Sequence, residues 1–115
     1  MRQLNWTPEA EAEFNRLQAA AKKAAAARAK MGKTKSSKQE GLFKQVTKAL
    51  DYLRTNPRHS SLQTHEFHSL SHPWSESEKV FEAYAQNDTP GAYRIFWCYG
   101  PGKGEITVIA ITSHP

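Results

Sequence analysis

The sequence predicts an α+β fold with an N-terminal strand, a long antiparallel helical hairpin and then a three-stranded antiparallel sheet. Two observations support this prediction. The first half is rich in alanine and has apolar residues at helical spacing, whereas the second half has β-branched and aromatic runs separated by turn residues. With 115 residues, one domain over 1–115 is expected. Its helical hairpin spans 8–55, its loop 56–78 and its sheet 79–114.

The first helix has clear start signals. Gln3–Trp6 forms a short extended segment, and Thr7 follows as a capping residue before Pro8, which fits the first helical position. Alanine then dominates, so the helix is predicted to run to Lys30, with its distal half projecting past the core. The apolar stripe consists of Ala10, Phe14, Leu17 and Ala21.

The second helix begins after a break at Gly32–Ser37. Glu40 lies three residues after Ser37, which is the spacing of a capping box. The helix is predicted over 38–55, and Asn56-Pro57 ends it. Its apolar face is expected to contain Leu42, Phe43, Val46, Ala49, Leu50 and Leu53.

The C-terminal part is predicted to form a β-hairpin. Tyr93–Tyr99 and Ile106–Thr112 are the strands, and the three glycines and one proline of Gly100–Gly104 make the turn. Regular pairing around Gly102 places Arg94 opposite Ala110. Strand alternation then puts Ile106 and Val108 on the same face as Arg94, and Ile109 on the opposite, core face. A charge within a strand is costly unless it is solvated or paired, so Arg94 is expected on an open, polar face. The alternative is an ion pair of purely structural purpose.

A third strand, predicted over Lys79–Gln86, turns at Asn87–Gly91 into the strand that carries Arg94. This pairing sets Tyr84 opposite Arg94 and puts a carboxylate, a phenol, a guanidinium and an imidazole on one face. Arginine clamps phosphates, histidine moves protons near neutral pH, and tyrosine stacks on bases. The candidate catalytic residues are Glu82, Tyr84, Arg94 and His114. Regular pairing leaves Arg94 and His114 roughly 13 Å apart.

The loop over 56–78 contains four of the five histidines. Leu62, Phe67 and Leu70 are expected to hold this loop against the sheet. His65 and His68 are close in sequence, but the only cysteine, Cys98, is far away and no metalloprotease pattern is present, so neither metal nor cofactor is expected.

The charge distribution favours an acidic partner. Net charge is +5, and no acidic residue occurs from Phe14 to Gln39. Such a single-sign stretch suits nucleic acid or an acidic protein segment, although a solvated helix face has the same composition. Mean hydropathy is −0.73, and neither a membrane span nor an apolar leader is apparent, so a cytoplasmic protein is expected.

Three stretches together resemble the RelE/ParE superfamily of bacterial toxin–antitoxin systems. They are LNWTPEAEAEF at the first helix, LRTNPRHSSLQTHEFHSL after the second, and AYRIFWCYGPGKGEITVIAITSHP at the end. The resemblance implies a small toxin neutralised by an acidic antitoxin. RelE-like members cut mRNA on the ribosome, and ParE-like members poison DNA gyrase.

The resemblance also implies roles for single residues. Arg94 occupies the position of the arginine that contacts the scissile phosphate, and His114 that of the histidine acting as general acid or base in YoeB-like members. Glu82 and Tyr84 are candidates on the preceding strand, and the loop after the helices brings in His65 and His68. The expected nucleic-acid-binding residues are Lys22, Lys23, Arg28, Lys30, Lys33, Lys35, Arg58, His65 and His68.

The leading hypothesis is a ribosome-dependent, metal-independent mRNA endonuclease of the RelE/YoeB type. One alternative is a gyrase inhibitor, in which Arg94 is structural and the helical hairpin makes the contact. Another is a basic nucleic-acid- or protein-binding module without toxicity. The charged residues on one face of the sheet favour the nuclease.

Overall fold

The computed structural model describes residues 1–86 and 91–113. Its elements follow the order β1 (Gln3–Trp6), α1 (Pro8–Lys30), α2 (Lys38–Thr55), a 3₁₀ turn (Ser60–Leu62), β2 (His65–Glu66), β3 (Phe81–Tyr84), β4 (Tyr93–Tyr99) and β5 (Glu105–Ser113). Neither helix in these ranges is long and apolar enough to cross a membrane.

Both helices start and end where the sequence predicts. The Thr7 side chain accepts the Ala10 backbone N–H, and Pro8 is the first residue of α1. At α2, Ser37 and Glu40 form the reciprocal capping box, in which each side chain accepts the other residue's backbone N–H. These contacts satisfy N–H groups that have no partner within a helix, and so they fix both starting points.

The predicted three-stranded antiparallel sheet is wrong in its strand count. The sheet has five strands in the order β1-β5-β4-β3-β2. β1 pairs in parallel with β5, and β2 adds a two-residue edge strand within the segment predicted as loop. Pairing between the first and last strands depends on how the whole intervening chain folds, so no local sequence pattern predicts it.

The pairing of β3 with β4 agrees with the prediction, since Tyr84 lies opposite Arg94. The pairing of β4 with β5 does not, because Arg94 lies opposite Thr112 rather than Ala110. The register shifts between Phe96 and Trp97, so that β5 contains one extra residue, Ile109. Such a bulge breaks the strict alternation on which the prediction relied.

The bulge changes which face each β5 residue occupies. Ile106 and Val108, predicted to share a face with Arg94, instead join Trp97 in the core beneath the helices. Ile109, predicted for that core, packs with Phe96 on the opposite face of the sheet. The core on the helix side also includes the predicted apolar residues of both helices, namely Ala10, Leu17, Val46, Ala49, Leu50 and Leu53.

The loop residues lie where the sequence places them. Leu62 is fully buried in the core on the helix side. Phe67 and Leu70 pack against Phe96 on the other face, and the Phe67 and Phe96 rings are 4.7 Å apart. This loop therefore packs on the part of the second face that carries Phe96.

Candidate active site

Three neighbouring strands bring four functional side chains together. His65 on β2 lies opposite Glu82 on β3, and Tyr84 on β3 lies opposite Arg94 on β4. Residues two apart on a strand point to the same face, so all four share the face that Phe96 also occupies. The cluster is therefore built by strand pairing, which fixes the backbone of every member.

The closest contact in this cluster joins His65 and Glu82. The Nε2 atom of His65 is 2.6 Å from Oε1 of Glu82, and its Nδ1 is 3.0 Å from the backbone carbonyl oxygen of Gln63. A carbonyl can only accept, so Nδ1 carries a proton and donates it to Gln63. On the other side, the Glu82 carboxylate lies within hydrogen-bond distance of Nε2. His65 and Glu82 thus form an imidazole–carboxylate dyad.

The orientation of the His65 ring depends on the backbone of Gln63. Gln63 is the one non-glycine residue with positive φ in the described ranges, at 48°. This left-handed conformation ends the 3₁₀ turn. Non-glycine residues in this region of φ/ψ space are uncommon and concentrate at functional sites. Here the conformation accompanies the carbonyl contact that defines the tautomer of His65.

Arg94 is buried, which contradicts its predicted position on an open surface. Arg94 is 1% exposed and Glu82 is 2% exposed. Arg94 Nε lies 3.9 Å from Glu82 Oε2, and Nη1 donates to the Ala92 carbonyl oxygen at 3.1 Å. Its guanidinium carbon is 3.9 Å from the centre of the Tyr84 ring, a close cation–π contact. The ion pair that the sequence left as the alternative is therefore present, with Glu82 as the carboxylate partner.

Only some members of the cluster reach solvent. The His65 side chain is 46% exposed, and its ring meets the Tyr84 ring edge-on at 5.8 Å. Tyr84 itself is half-buried. His65 and Tyr84 therefore form the exposed surface of the cluster, and Glu82 and Arg94 lie beneath them.

The structure does not gather every predicted site residue here. His114 lies outside the described residues. The His68 side chain is 81% exposed and lies 3.9 Å from a Glu66 oxygen, so it belongs to the loop surface. Arg58 lies 5.9 Å from the Phe81 ring centre, on the helix side of the sheet.

The predicted basic residues of the helical hairpin are exposed, with one exception. Lys22, Lys23, Lys30, Lys33 and Lys35 face solvent. Arg28 instead donates to both carboxylate oxygens of Glu40, at 3.0 and 2.9 Å. These hydrogen bonds and the adjacent Ser37 N–H lower the pKa of Glu40 to about 2. Arg28 therefore binds Glu40 at the junction of the two helices. Of the predicted basic residues in the hairpin, the five lysines form the exposed basic surface.

Sequence reasoning placed His65 among the nucleic-acid-binding residues and missed its contact with Glu82. The missing information was β2, because a two-residue strand leaves no pattern in the sequence. Within the described ranges, no group of three or more histidine, cysteine, aspartate or glutamate side chains is arranged to hold a metal ion.

No described protein family matches the sequence, and no curated protein is significantly similar to it. Solved structures do match. A YoeB/ParE toxin from Agrobacterium tumefaciens is similar with a TM-score of 0.62 and 8% identity, covering 98% of this chain and 99% of that one. A YoeB dimer from Staphylococcus aureus matches with a TM-score of 0.56 and 9% identity, over 99% and 98% of the two chains.

A third structure, a copper-bound mutant toxin from Helicobacter pylori, matches with a TM-score of 0.51 and 16% identity, covering 99% of this chain and 96% of that one. All three alignments extend over nearly the whole of both chains. The chain therefore has the same fold as these YoeB/ParE-type toxin structures.

Proposed function

We propose that this chain is the toxin of a type II toxin–antitoxin system and that it cleaves mRNA on the ribosome without a metal ion, in a bacterial cytoplasm. The observation that carries the proposal is the dyad of His65 and Glu82. It lies at the surface of the sheet, beside Tyr84 and the buried cation of Arg94.

The chemistry is a transesterification within the RNA. The ribose 2′-oxygen attacks the adjacent phosphorus as it loses its proton, and the bond from phosphorus to the 5′-oxygen breaks. The products are a 2′,3′-cyclic phosphate and a 5′-hydroxyl, with one proton removed and one added. Acid–base groups of this kind contribute roughly 10²–10⁴-fold to rate. His65 is the exposed member of the dyad and exchanges the proton, while Glu82 orients the ring and shares the charge.

Arg94 supports this chemistry from below the surface. Its burial keeps the guanidinium in a low-dielectric environment, where its charge acts more strongly on nearby groups than in water. It holds the Tyr84 ring by the cation–π contact and lies beside the Glu82 carboxylate. In this assignment Arg94 is a positioning residue. His114, which the family resemblance implies, remains the second acid–base candidate.

The basic charge of the hairpin and the open edges of the sheet indicate which partners the protein binds. The five predicted lysines of the hairpin, all exposed, supply affinity for RNA phosphates, and such binding weakens steeply with salt. β1 and β2 are edge strands, with backbone groups open to pairing. An acidic antitoxin segment that adds to an edge and covers the lysines is the expected inhibitor.

One observation favours a second candidate, the gyrase inhibitor. Arg94 is buried and paired within the fold, as a purely structural arginine would be. The exposed lysines of the hairpin would then form the protein contact, and the sheet would carry no chemistry. Inhibition of DNA supercoiling by purified gyrase, with no cleavage of ribosome-bound message, identifies this function.

The test compares the same substitution at two histidines of one loop. His65→Gln removes the proton-exchanging ring, and His68→Gln is the matched control because His68 lies outside the cluster. The measurement is the single-turnover cleavage rate of a message on programmed ribosomes at saturating toxin. His65→Gln is expected to lower this rate by roughly 10²–10⁴-fold, whereas His68→Gln leaves it unchanged.

Two results would overturn the proposal in different ways. Equal rates for the wild type and a folded His65→Gln variant would remove His65 from the chemistry. The absence of cleavage by the wild-type protein on any ribosome-bound message would remove the nuclease function itself.

A further inference from the structure

A polar groove lies beside the candidate active site. It has a volume of about 230 Å³ and runs between α2, the segment after the 3₁₀ turn, and the end of β3. Its lining residues are Gln45, Lys48, Ala49, Tyr52, Ser61, Gln63, Tyr84, Ala85 and Gln86. This volume is below the roughly 300–1,000 Å³ of pockets for drug-sized ligands, so the groove has room for one small group.

The charge of the groove favours an anionic polymer over other ligands. Its lining includes the Lys48 ammonium group and no carboxylate. Tyr84 belongs both to this lining and to the active-site cluster, where it packs on Arg94. An RNA strand whose scissile phosphate lies beside His65 and Tyr84 therefore places a flanking nucleotide at this groove.

The hydrogen bonds at one end of the groove fix the direction of two amide side chains. The Tyr93 backbone N–H can only donate, and its partner 2.8 Å away is the Gln86 side chain, which must present its oxygen there. The Gln86 NH₂ group then donates to the Gln45 side-chain oxygen at 3.1 Å. With its oxygen engaged, Gln45 has its NH₂ group to offer, and Lys48 one helical turn away also offers only donors.

We propose that this groove binds the base of an RNA nucleotide flanking the scissile phosphate and prefers uracil or guanine. The inference rests on the proposed function, which supplies the RNA. Adenine and cytosine present an amino donor where guanine and uracil present an oxygen. An amino group that meets the Gln45 donor leaves two donors facing each other, so the fixed amides discriminate against those bases.

Uridine and cytidine hexanucleotides are matched probes, because the two bases differ at this oxygen and amino position while their size is the same. Binding is measured by fluorescence anisotropy to the full-length His65→Gln protein, in which cleavage is suppressed. The uridine oligonucleotide is expected to bind roughly 10-fold more tightly, as one base-edge contact typically discriminates. Gln45→Met, which keeps the chain length but removes the donors, should reduce the ratio to about one.

Two further variants separate base recognition from other effects. Gln39→Met is the matched control, since Gln39 is an exposed glutamine of α2 outside the groove lining, and it should leave the ratio unchanged. Lys48→Met should weaken both oligonucleotides by the same factor. Equal affinities for the two probes in the parent protein, or an unchanged ratio in folded Gln45→Met, would overturn the groove assignment. Neither result concerns cleavage by the wild type, so failure of the proposed function is recognised separately.

Discussion

Replacement of Arg94 with alanine is expected to destabilise the whole fold. The guanidinium lies beside the Glu82 carboxylate at 3.9 Å, and both side chains are 2% exposed. Removal of one member of a buried ion pair typically costs about 3–5 kcal/mol, because it leaves a buried charge less compensated. Truncation also removes the cation–π contact with Tyr84, which is worth about 2 kcal/mol when desolvated.

This cost is large relative to the stability of a small domain. Domains of this kind unfold with a free energy of about 5–15 kcal/mol. The urea dependence of that free energy is typically about 1–3 kcal/mol per molar. A loss of about 4 kcal/mol therefore lowers the urea midpoint by roughly 1.3–4 M. Loss of toxicity in Arg94→Ala alone would consequently not show that Arg94 takes part in catalysis.

The assay is equilibrium urea unfolding followed by circular dichroism at several pH values. Lys103→Ala, an exposed charge in the β4–β5 turn, is the control and should leave the midpoint unchanged. The double variant Arg94→Met with Glu82→Gln should recover part of the lost stability, because no charge remains buried at the pair. An Arg94→Ala midpoint within error of the wild type would refute the view that this buried pair stabilises the sheet.

Two further predictions concern groups whose pKa is shifted. The pKa of Glu40 is lowered from 4.5 to about 2 by Arg28 and by the Ser37 N–H, so its stabilisation is complete above about pH 4.5 and is lost as pH falls towards 2. The difference in thermal midpoint between the wild type and Glu40→Gln should shrink over this range, and a constant difference would contradict the assignment. Burial raises the pKa of the Cys98 thiol to about 11. Iodoacetamide at about pH 8 should therefore label Cys98 only after unfolding, and rapid labelling of the folded protein would show that the thiol is accessible.

The helices and their ends could be read from the sequence because the deciding interactions are local. The capping residues, the apolar spacing and the terminating Asn56-Pro57 all act within a few residues of the position they determine. The pairing of β3 with β4 was equally accessible, since the two strands are close in sequence, and the prediction correctly set Tyr84 opposite Arg94.

The candidate site was only partly accessible in this way. Strand alternation identified the face shared by Glu82, Tyr84 and Arg94 but not the burial of two of them, because burial depends on everything that packs above the sheet. The contact between His65 and Glu82 required β2, whose two residues gain their strand conformation from β3 and not from their own propensity.

The sequence by itself therefore determined the two helices, the hairpin order of the later strands and the types of residue on the face of the candidate site. Tertiary structure decided the parallel pairing of β1 with β5, the bulge at Ile109 and the contact between His65 and Glu82. The physical reason is how far apart in the sequence the interacting residues lie. Caps and turns are stabilised by neighbours in the chain, whereas sheet edges, register shifts and buried charges are stabilised by residues that only folding brings together.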